Sequence, residues 1–120
     1  MTHREIEMCV LDSLLDDCED VSQLLSILNR VGDEQSWENA RGTTFLETEV
    51  QSALVRLMAE GLVTPLASQA PHFRGLQTIS REAVGTTVPW SEVWFELRPE
   101  GRNTVQAWWS AEGQFKYPLR

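Results

Sequence analysis

The side chains of this sequence that could bind a metal or act as nucleophiles are few and widely spaced. The histidines are His3, near the N-terminus, and His72, in a segment with loop composition, and neither has a partner at metal-ligand spacing. Cys9 and Cys18 lie nine residues apart, so on one helix they point to opposite faces and form no local disulfide. We therefore expect reduced thiols, no metal site and no cofactor.

An acidic cluster near residue 20 is the remaining candidate for binding chemistry. It consists of Asp16, Asp17, Glu19 and Asp20. Calcium-binding loops place their oxygen ligands at alternating positions, which this cluster does not do, so a solvated corner between two helices is the better interpretation. The sequence also has no glycine-rich phosphate loop, nucleophile elbow or Cys/His pair, so we predict no catalytic residues and no enzyme activity.

The balance of charge restricts the possible partners. The formal net charge is −8, and residues 1–50 contribute −9 while residues 51–120 contribute +1. An acidic chain repels nucleic acid at long range, so any DNA contact requires a locally basic face, which we expect in the second half. The sequence has no apolar run long enough to span a bilayer and no signal-peptide pattern, which predicts a cytoplasmic protein with no membrane partner.

Helical periodicity predicts three helices in the first half of the chain. They lie near residues 2–17, 21–31 and 45–60. Thr2 and Glu5 form a capping-box pattern at the first, and Asp20 with Gln23 forms the same pattern at the second. The first helix is apolar on more than one side, so we expect it to be buried.

The third helix is bounded by its own signals. Thr44 and Glu47 form a capping-box pattern at its start, and Gly61 suits the position that ends a helix. The preceding segment, 32–43, is polar except for Trp37, which we expect to pack back onto the core. Gly32 is predicted to end the second helix.

The second half of the chain predicts two strands and a last helix. They lie near residues 62–67, 92–97 and 99–111. We expect the strands to pair as one antiparallel hairpin with a long loop, called here the wing (residues 62–97). Pro65 would restrict the first strand to an edge or irregular position. The order of elements predicts one α+β domain over residues 1–120.

Two segments of the chain resemble a known family. Residues 49–63 (EVQSALVRLMAEGLV) resemble the recognition helix of winged helix-turn-helix proteins and its Gly-Leu-Val turn into the wing. Residues 95–102 (FELRPEGR) are similar to the second wing strand and the Pro-x-Gly entry to the next helix. The PadR-like and MarR-like branches share these features. The resemblance implies three N-terminal helices, a two-stranded wing, a C-terminal helix and a transcriptional regulator that binds duplex DNA.

In such a protein the outward face of the third helix, opposite Val50, enters the major groove. Arg56 and Gln51 could read guanine and adenine there, and the hydroxyls of Thr48 and Ser52 could hold phosphates. The candidate DNA-binding residues are Arg41, Thr48, Gln51, Ser52, Arg56, Arg74 and Arg81. The same helix carries three glutamates, so a second hypothesis stays open: an acidic protein–protein interaction module that does not bind DNA.

The C-terminal part of the chain is rich in aromatic residues. Trp108 and Trp109 are neighbours on the last helix, about 100° apart, so they cannot both face one core seam equally. With Phe115 and Tyr117 they are the candidate dimer or partner interface, because tryptophan is favoured in such surfaces. The family resemblance makes a homodimer the expected assembly.

Overall fold

The computed structural model describes residues 1–30, 37–68 and 75–112 of the 120-residue chain. Its helices are α1 (His3–Ser13), α2 (Val21–Leu28), α3 (Trp37–Arg41), α4 (Glu47–Ala59) and α5 (Pro99–Glu112). Its strands are β1 (Glu19–Asp20), β2 (Val63–Ala67), β3 (Gln77–Thr78) and β4 (Trp94–Leu97), and two 3₁₀ turns cover Arg81–Ala83 and Trp90–Glu92. The strands form one antiparallel sheet in the order β1-β4-β2-β3, so the fold is α+β.

Helix α1 lies at the centre of the fold, as its apolar residues predict. Every residue from Ile6 to Leu14 is buried, and the helix packs against α2, α4 and α5. The predicted capping box is present, with Thr2 Oγ1 accepting from the Glu5 N–H at 3.1 Å and Glu5 accepting from the Thr2 N–H at 2.8 Å. The helix ends at Ser13, four residues before its predicted end at residue 17.

The early end of α1 has its cause in the acidic segment that follows. Glu19 and Asp20 form β1, which pairs with Phe95 and Trp94 of β4 and so draws the chain away from the helix axis. Both residues are half-buried at the sheet edge, so the predicted solvated corner is wrong for this part of the cluster. The first part, Asp16 and Asp17, is exposed.

Helix α2 begins as predicted and ends early. Asp20 accepts from the Gln23 N–H at 2.8 Å, and Gln23 accepts from the Asp20 N–H at 2.9 Å. The helix ends at Leu28, because the side chain of the next residue, Asn29, binds both the carbonyl and the N–H of Phe45. Its amide donates to the Phe45 carbonyl at 2.9 Å, and its carbonyl accepts from the Phe45 N–H at 2.7 Å. The predicted stop at Gly32 lies outside the described residues.

The segment predicted as a polar linker contains the short helix α3, which places Trp37 in the core as expected. Helix α4 then begins at Glu47, with Leu46 as its N-cap residue. The Glu49 carboxylate accepts from the Leu46 N–H at 3.0 Å, which is the part of a capping box that a leucine permits. The predicted Thr44–Glu47 cap is wrong by two residues. The helix ends at Ala59, one residue before its predicted end, and Gly61 follows it with a φ of +73°, as predicted for the residue that ends the helix.

The wing contains more structure than the predicted hairpin. Strands β2 and β4 pair antiparallel as expected, with Val63 opposite Leu97, and the intervening loop adds β3 on the other side of β2. Strand β2 is therefore central, and the expectation that Pro65 restricts it to an edge is wrong. The Pro65 carbonyl accepts from the Ile79 N–H at 3.0 Å, so the missing proline N–H falls where pairing with β3 ends.

The two segments that resemble winged-helix proteins touch each other. The Arg98 N–H donates to the Leu62 carbonyl at 3.0 Å, directly after the β2–β4 pairing. Gly101, in the first turn of α5, is buried against the same carbonyl, and a Cβ there would lie 2.3 Å from the Leu62 oxygen. A glycine at position 101 therefore allows α5 to pack against the turn that follows α4.

Candidate functional site

The outward face of α4 is an uncharged stripe of four residues, Thr48, Ser52, Val55 and Ala59. At 100° per residue they lie within about 60° of one another, and all four are exposed. Val55 is 51% exposed, a high value for an aliphatic side chain. We call this set the α4 stripe. It is the face that the periodicity predicts to point outward, and it carries hydroxyl and apolar groups but no charge.

Acidic and amide groups line one side of the α4 stripe. Gln51, predicted to read adenine, is half-buried and donates through Nε2 to Glu47 Oε1 at 3.3 Å. The Gln51 amide is thus already hydrogen-bonded to the side chain one helical turn before it. A DNA base would have to replace this contact before Gln51 could read it.

On the other side of the α4 stripe, Arg56 pairs with α1. Its Nε donates to Glu7 Oε2 at 2.7 Å, and the Glu7 side chain is only 5% exposed. Glu7 also accepts from Arg4 Nη1 at 2.9 Å, and Arg4 reaches Glu60 at 3.1 Å. We call Glu7, Arg56, Arg4 and Glu60 the α1–α4 ion cluster. Its two arginines and two glutamates balance, so Arg56 adds little net positive charge to the surface.

Arg41 is also engaged within the protein. It ends α3, donates to Glu49 Oε2 at 2.6 Å, and lies over the Phe45 ring at 4.5 Å from the centroid. Its side chain is 17% exposed. The ion pair lowers the pKa of Glu49, with the hydrogen bond from Arg41 as the largest cause. Arg41 thus fastens α3 to the start of α4, away from the α4 stripe.

The wing supplies two of the candidate arginines. Arg81 lies in the first 3₁₀ turn, is 52% exposed and contacts Glu82 at 3.3 Å. Such an exposed pair constrains its partners only weakly. Arg74 lies outside the described residues. Of the seven predicted DNA-binding residues, the structure therefore brings Thr48, Ser52 and Arg56 together and places Arg81 on the opposite side of the α4 stripe.

A cavity lies on each side of the α4 stripe. The first, called here the α1–α4 cavity, has a volume of about 220 Å³ and is lined by His3, Ile6, Thr48, Glu49, Ser52 and Arg56. The second, about 350 Å³, lies between α4 and the first 3₁₀ turn and is lined by Val55, Met58, Ala59, Arg81, Glu82 and Val84. The first is rich in hydrogen-bond donors, whereas the second is mainly apolar.

The C-terminal tryptophans pack within the subunit. Trp109 stacks on Trp37 of α3, with ring centroids 5.7 Å apart and planes inclined by 29°. Trp108 and Trp109 are both half-buried against the core. Neither is fully buried, which agrees with the angle of about 100° between neighbouring residues on a helix. Phe115 and Tyr117 lie outside the described residues, and the role of all four residues in a dimer stays a prediction.

The groups capable of metal or thiol chemistry do not assemble into a site. Within residues 1–30, 37–68 and 75–112, no three His, Cys, Asp or Glu side chains are placed to hold a metal. Cys9 is buried, and burial raises the pKa of its thiol; burial and Asp17 also raise the pKa of the half-buried Cys18. In the described part of the chain, no helix has the length and apolarity needed to cross a membrane.

One feature of the site was missed by sequence reasoning, namely the partner of Arg56. Glu7 lies 49 residues away in the sequence, between the buried apolar residues Ile6 and Met8 of α1. A glutamate at a position that helical periodicity assigns to the core was the available signal, because buried carboxylates require cationic partners. The outward positions of Thr48 and Ser52, in contrast, followed directly from the helical period.

Comparisons with known proteins support the fold. Neither a protein-family model nor a curated protein matches the sequence. The structure is similar to that of a PadR family transcription regulator from hypervirulent Clostridium difficile R20291, with a TM-score of 0.52 and 14% sequence identity. The alignment covers 92% of this chain and 93% of that chain. The likeness shows a shared, winged-helix-like fold. That neighbour is a regulator rather than an enzyme, and a MarR-like relationship stays a prediction.

Proposed function

We propose that this chain is a winged-helix transcription regulator that binds duplex DNA through the α4 stripe and the wing. The observation that carries the proposal is the likeness to a PadR family transcription regulator, which extends over nearly the full length of both chains. In this fold the helix before the wing is the one that enters the major groove. The α4 stripe supports this assignment, because it is exposed and no described element covers it.

The charges on the described residues predict an unusual mode of DNA binding. Arg56 and Arg81, which flank the α4 stripe, each contact a carboxylate, so few counterions would be released on DNA binding. Each neutralised phosphate contributes a slope of about −0.9 to a plot of log affinity against log salt. We expect a shallow slope, between about −1 and −4, and weak affinity that is detectable only at low salt.

Fluorescence anisotropy with a mixed-sequence duplex tests the proposal. The labelled duplex is titrated with protein at several salt concentrations, starting well below physiological ionic strength. Arg56→Ala should weaken binding, whereas Arg102→Ala serves as the control, because Arg102 is exposed on α5, outside the α4 stripe and the wing. Absence of binding at the lowest salt would rule out DNA binding by this chain.

A second candidate function is favoured by the same charges. The α4 stripe is uncharged, acidic side chains flank it, and the arginines near it are paired with carboxylates. These features suit an acidic protein–protein interaction module without DNA binding. If anisotropy detects no DNA complex, a partner with an apolar centre and a basic rim becomes the expectation for this face.

Assembly as a homodimer is part of the proposal. Trp108 and Trp109 on α5 are the candidate interface residues, and both are only half-buried within the subunit. Light scattering at tens of micromolar protein should give twice the monomer mass of 13.7 kDa. A monomer mass over the whole concentration range would contradict this assembly.

A further inference from the structure

We propose that the α1–α4 cavity binds a single phosphate group. The inference deepens the proposed function and rests on it where the phosphate belongs to a DNA backbone; a free phosphate ion presents the same chemistry. The cavity lies beside the α4 stripe and has a volume of about 220 Å³. Sites for drug-sized ligands are usually about 300–1,000 Å³, so this one suits a small anion better than a nucleotide.

Side chains from two helices supply the donors. His3 comes from the first turn of α1, while Thr48, Ser52 and Arg56 come from α4 and follow one another along one side of the helix. Hydroxyl, imidazole and guanidinium groups are the side chains that commonly contact phosphate oxygens in proteins. The N-terminal turn of α1 adds the positive end of a helix dipole to the same place.

Arg56 is held in an orientation suited to this role. Its Nε donates to Glu7 Oε2 at 2.7 Å, and the side chain makes no other hydrogen bond among the described residues. The two terminal nitrogens, Nη1 and Nη2, form the end of a planar fork that matches two oxygens of a phosphate. Glu7 acts as a positioning residue, because a buried carboxylate on α1 fixes the plane of this guanidinium.

The carboxylates near the cavity are already neutralised. Glu49, which lines it, is bonded to Arg41 at 2.6 Å, and Glu7 accepts from both Arg4 and Arg56. An anion would therefore meet directed donors in a region of balanced charge rather than a basic patch. This arrangement offers a route to phosphate contact for a protein of net charge −8.

The test is a titration of the ¹⁵N-labelled protein with inorganic phosphate, replacing chloride at constant ionic strength and near-neutral pH. The backbone amides of His3, Thr48 and Ser52 should shift along a saturable curve with a dissociation constant in the millimolar range. Shifts that stay linear in phosphate, or that are spread evenly over the surface, would overturn the proposal.

Three variants make the test specific to the cavity. Arg56→Lys keeps the charge but loses the fork, and the double change Thr48→Val with Ser52→Ala removes two exposed hydroxyls without touching the core. Each should weaken phosphate binding at least about tenfold. Arg102→Ala, at an exposed arginine of α5 that does not line the cavity, should leave it unchanged. Equal affinity in the wild type and Arg56→Lys would overturn the assigned role of the fork.

Duplex binding by the same variants separates the two sources of phosphate. If the variants weaken phosphate and duplex binding together, the cavity holds a backbone phosphate. If phosphate saturates the cavity but no duplex binds, the cavity takes a free phosphate ion and only the proposed function fails. If duplex binds while phosphate gives no saturable shift, the cavity proposal fails and the proposed function stands.

Discussion

The ion pair between Glu7 and Arg56 should couple α1 to α4 by a measurable free energy. Breaking a fully buried pair costs about 3–5 kcal/mol, whereas exposed pairs are worth about 0.2–1 kcal/mol. Glu7 is 5% exposed and Arg56 is 34% exposed, so water partly replaces the contact at the arginine. We therefore expect a coupling free energy of about 1–2 kcal/mol for this pair.

A double-mutant cycle with Glu7→Gln, Arg56→Ala and the combined variant isolates this energy. Glu7→Gln alone should cost about 2–3 kcal/mol, because the neutral amide keeps only one acceptor oxygen and loses the charge that pairs with both Arg4 and Arg56. The free energy of unfolding is measured by urea titration with tryptophan fluorescence, and the comparison requires that all variants have the same m-value. The exposed Arg81–Glu82 pair is the control cycle, with an expected coupling below about 0.5 kcal/mol. A Glu7–Arg56 coupling as small as the control would refute the assigned contact.

Three further predictions concern packing, acid stability and thiol reactivity. Gly101→Ala should lower the free energy of unfolding, measured by urea titration, by about 1–3 kcal/mol, because the alanine methyl group would clash with the Leu62 carbonyl. Unchanged stability would contradict this packing. Its arginine partner lowers the pKa of Glu49, so this carboxylate stabilises the fold above about pH 4.3 and loses that contribution as the pH falls through the lowered pKa. Glu49→Gln should cost about 1–2 kcal/mol at neutral pH and reduce the loss on acidification, and parallel pH profiles for the two proteins would contradict the ion pair. Ellman's reagent should modify Cys18 in the folded protein but Cys9 only after unfolding, and rapid modification of both in native buffer would disprove the burial of Cys9.

Local signals in the sequence account for much of the fold. The capping boxes at Thr2 and Asp20 are present, and Gly61 ends α4 in the left-handed conformation that glycine favours. Aromatic content and Pro99 also predict strand β4 and helix α5, although β4 begins two residues later than predicted, at Trp94, and α5 extends one residue further. Each of these features depends on a few neighbouring residues, and for that reason periodicity and turn chemistry predict them.

Features that depend on distant partners could not be predicted. Strand β1 is two acidic residues long and exists because β4 pairs with it, and the end of α2 depends on the bonds from Asn29 to Phe45. The candidate site divides in the same way. The helical period gives the exposure of Ser52, but the engagement of Arg56 depends on a carboxylate 49 residues away.

Charges of opposite sign introduced on the α4 stripe test the proposed DNA-binding role most directly. Ser52 is exposed, so Ser52→Glu and Ser52→Arg should both fold, and the same pair of changes at the exposed Gln106 of α5 provides the control. If α4 enters the groove, Ser52→Glu abolishes duplex binding, while Ser52→Arg strengthens it about tenfold and steepens the salt slope by about one. The Gln106 variants should bind as the wild type does. Duplex binding that is equal in Ser52→Glu, Ser52→Arg and the wild type would contradict the account.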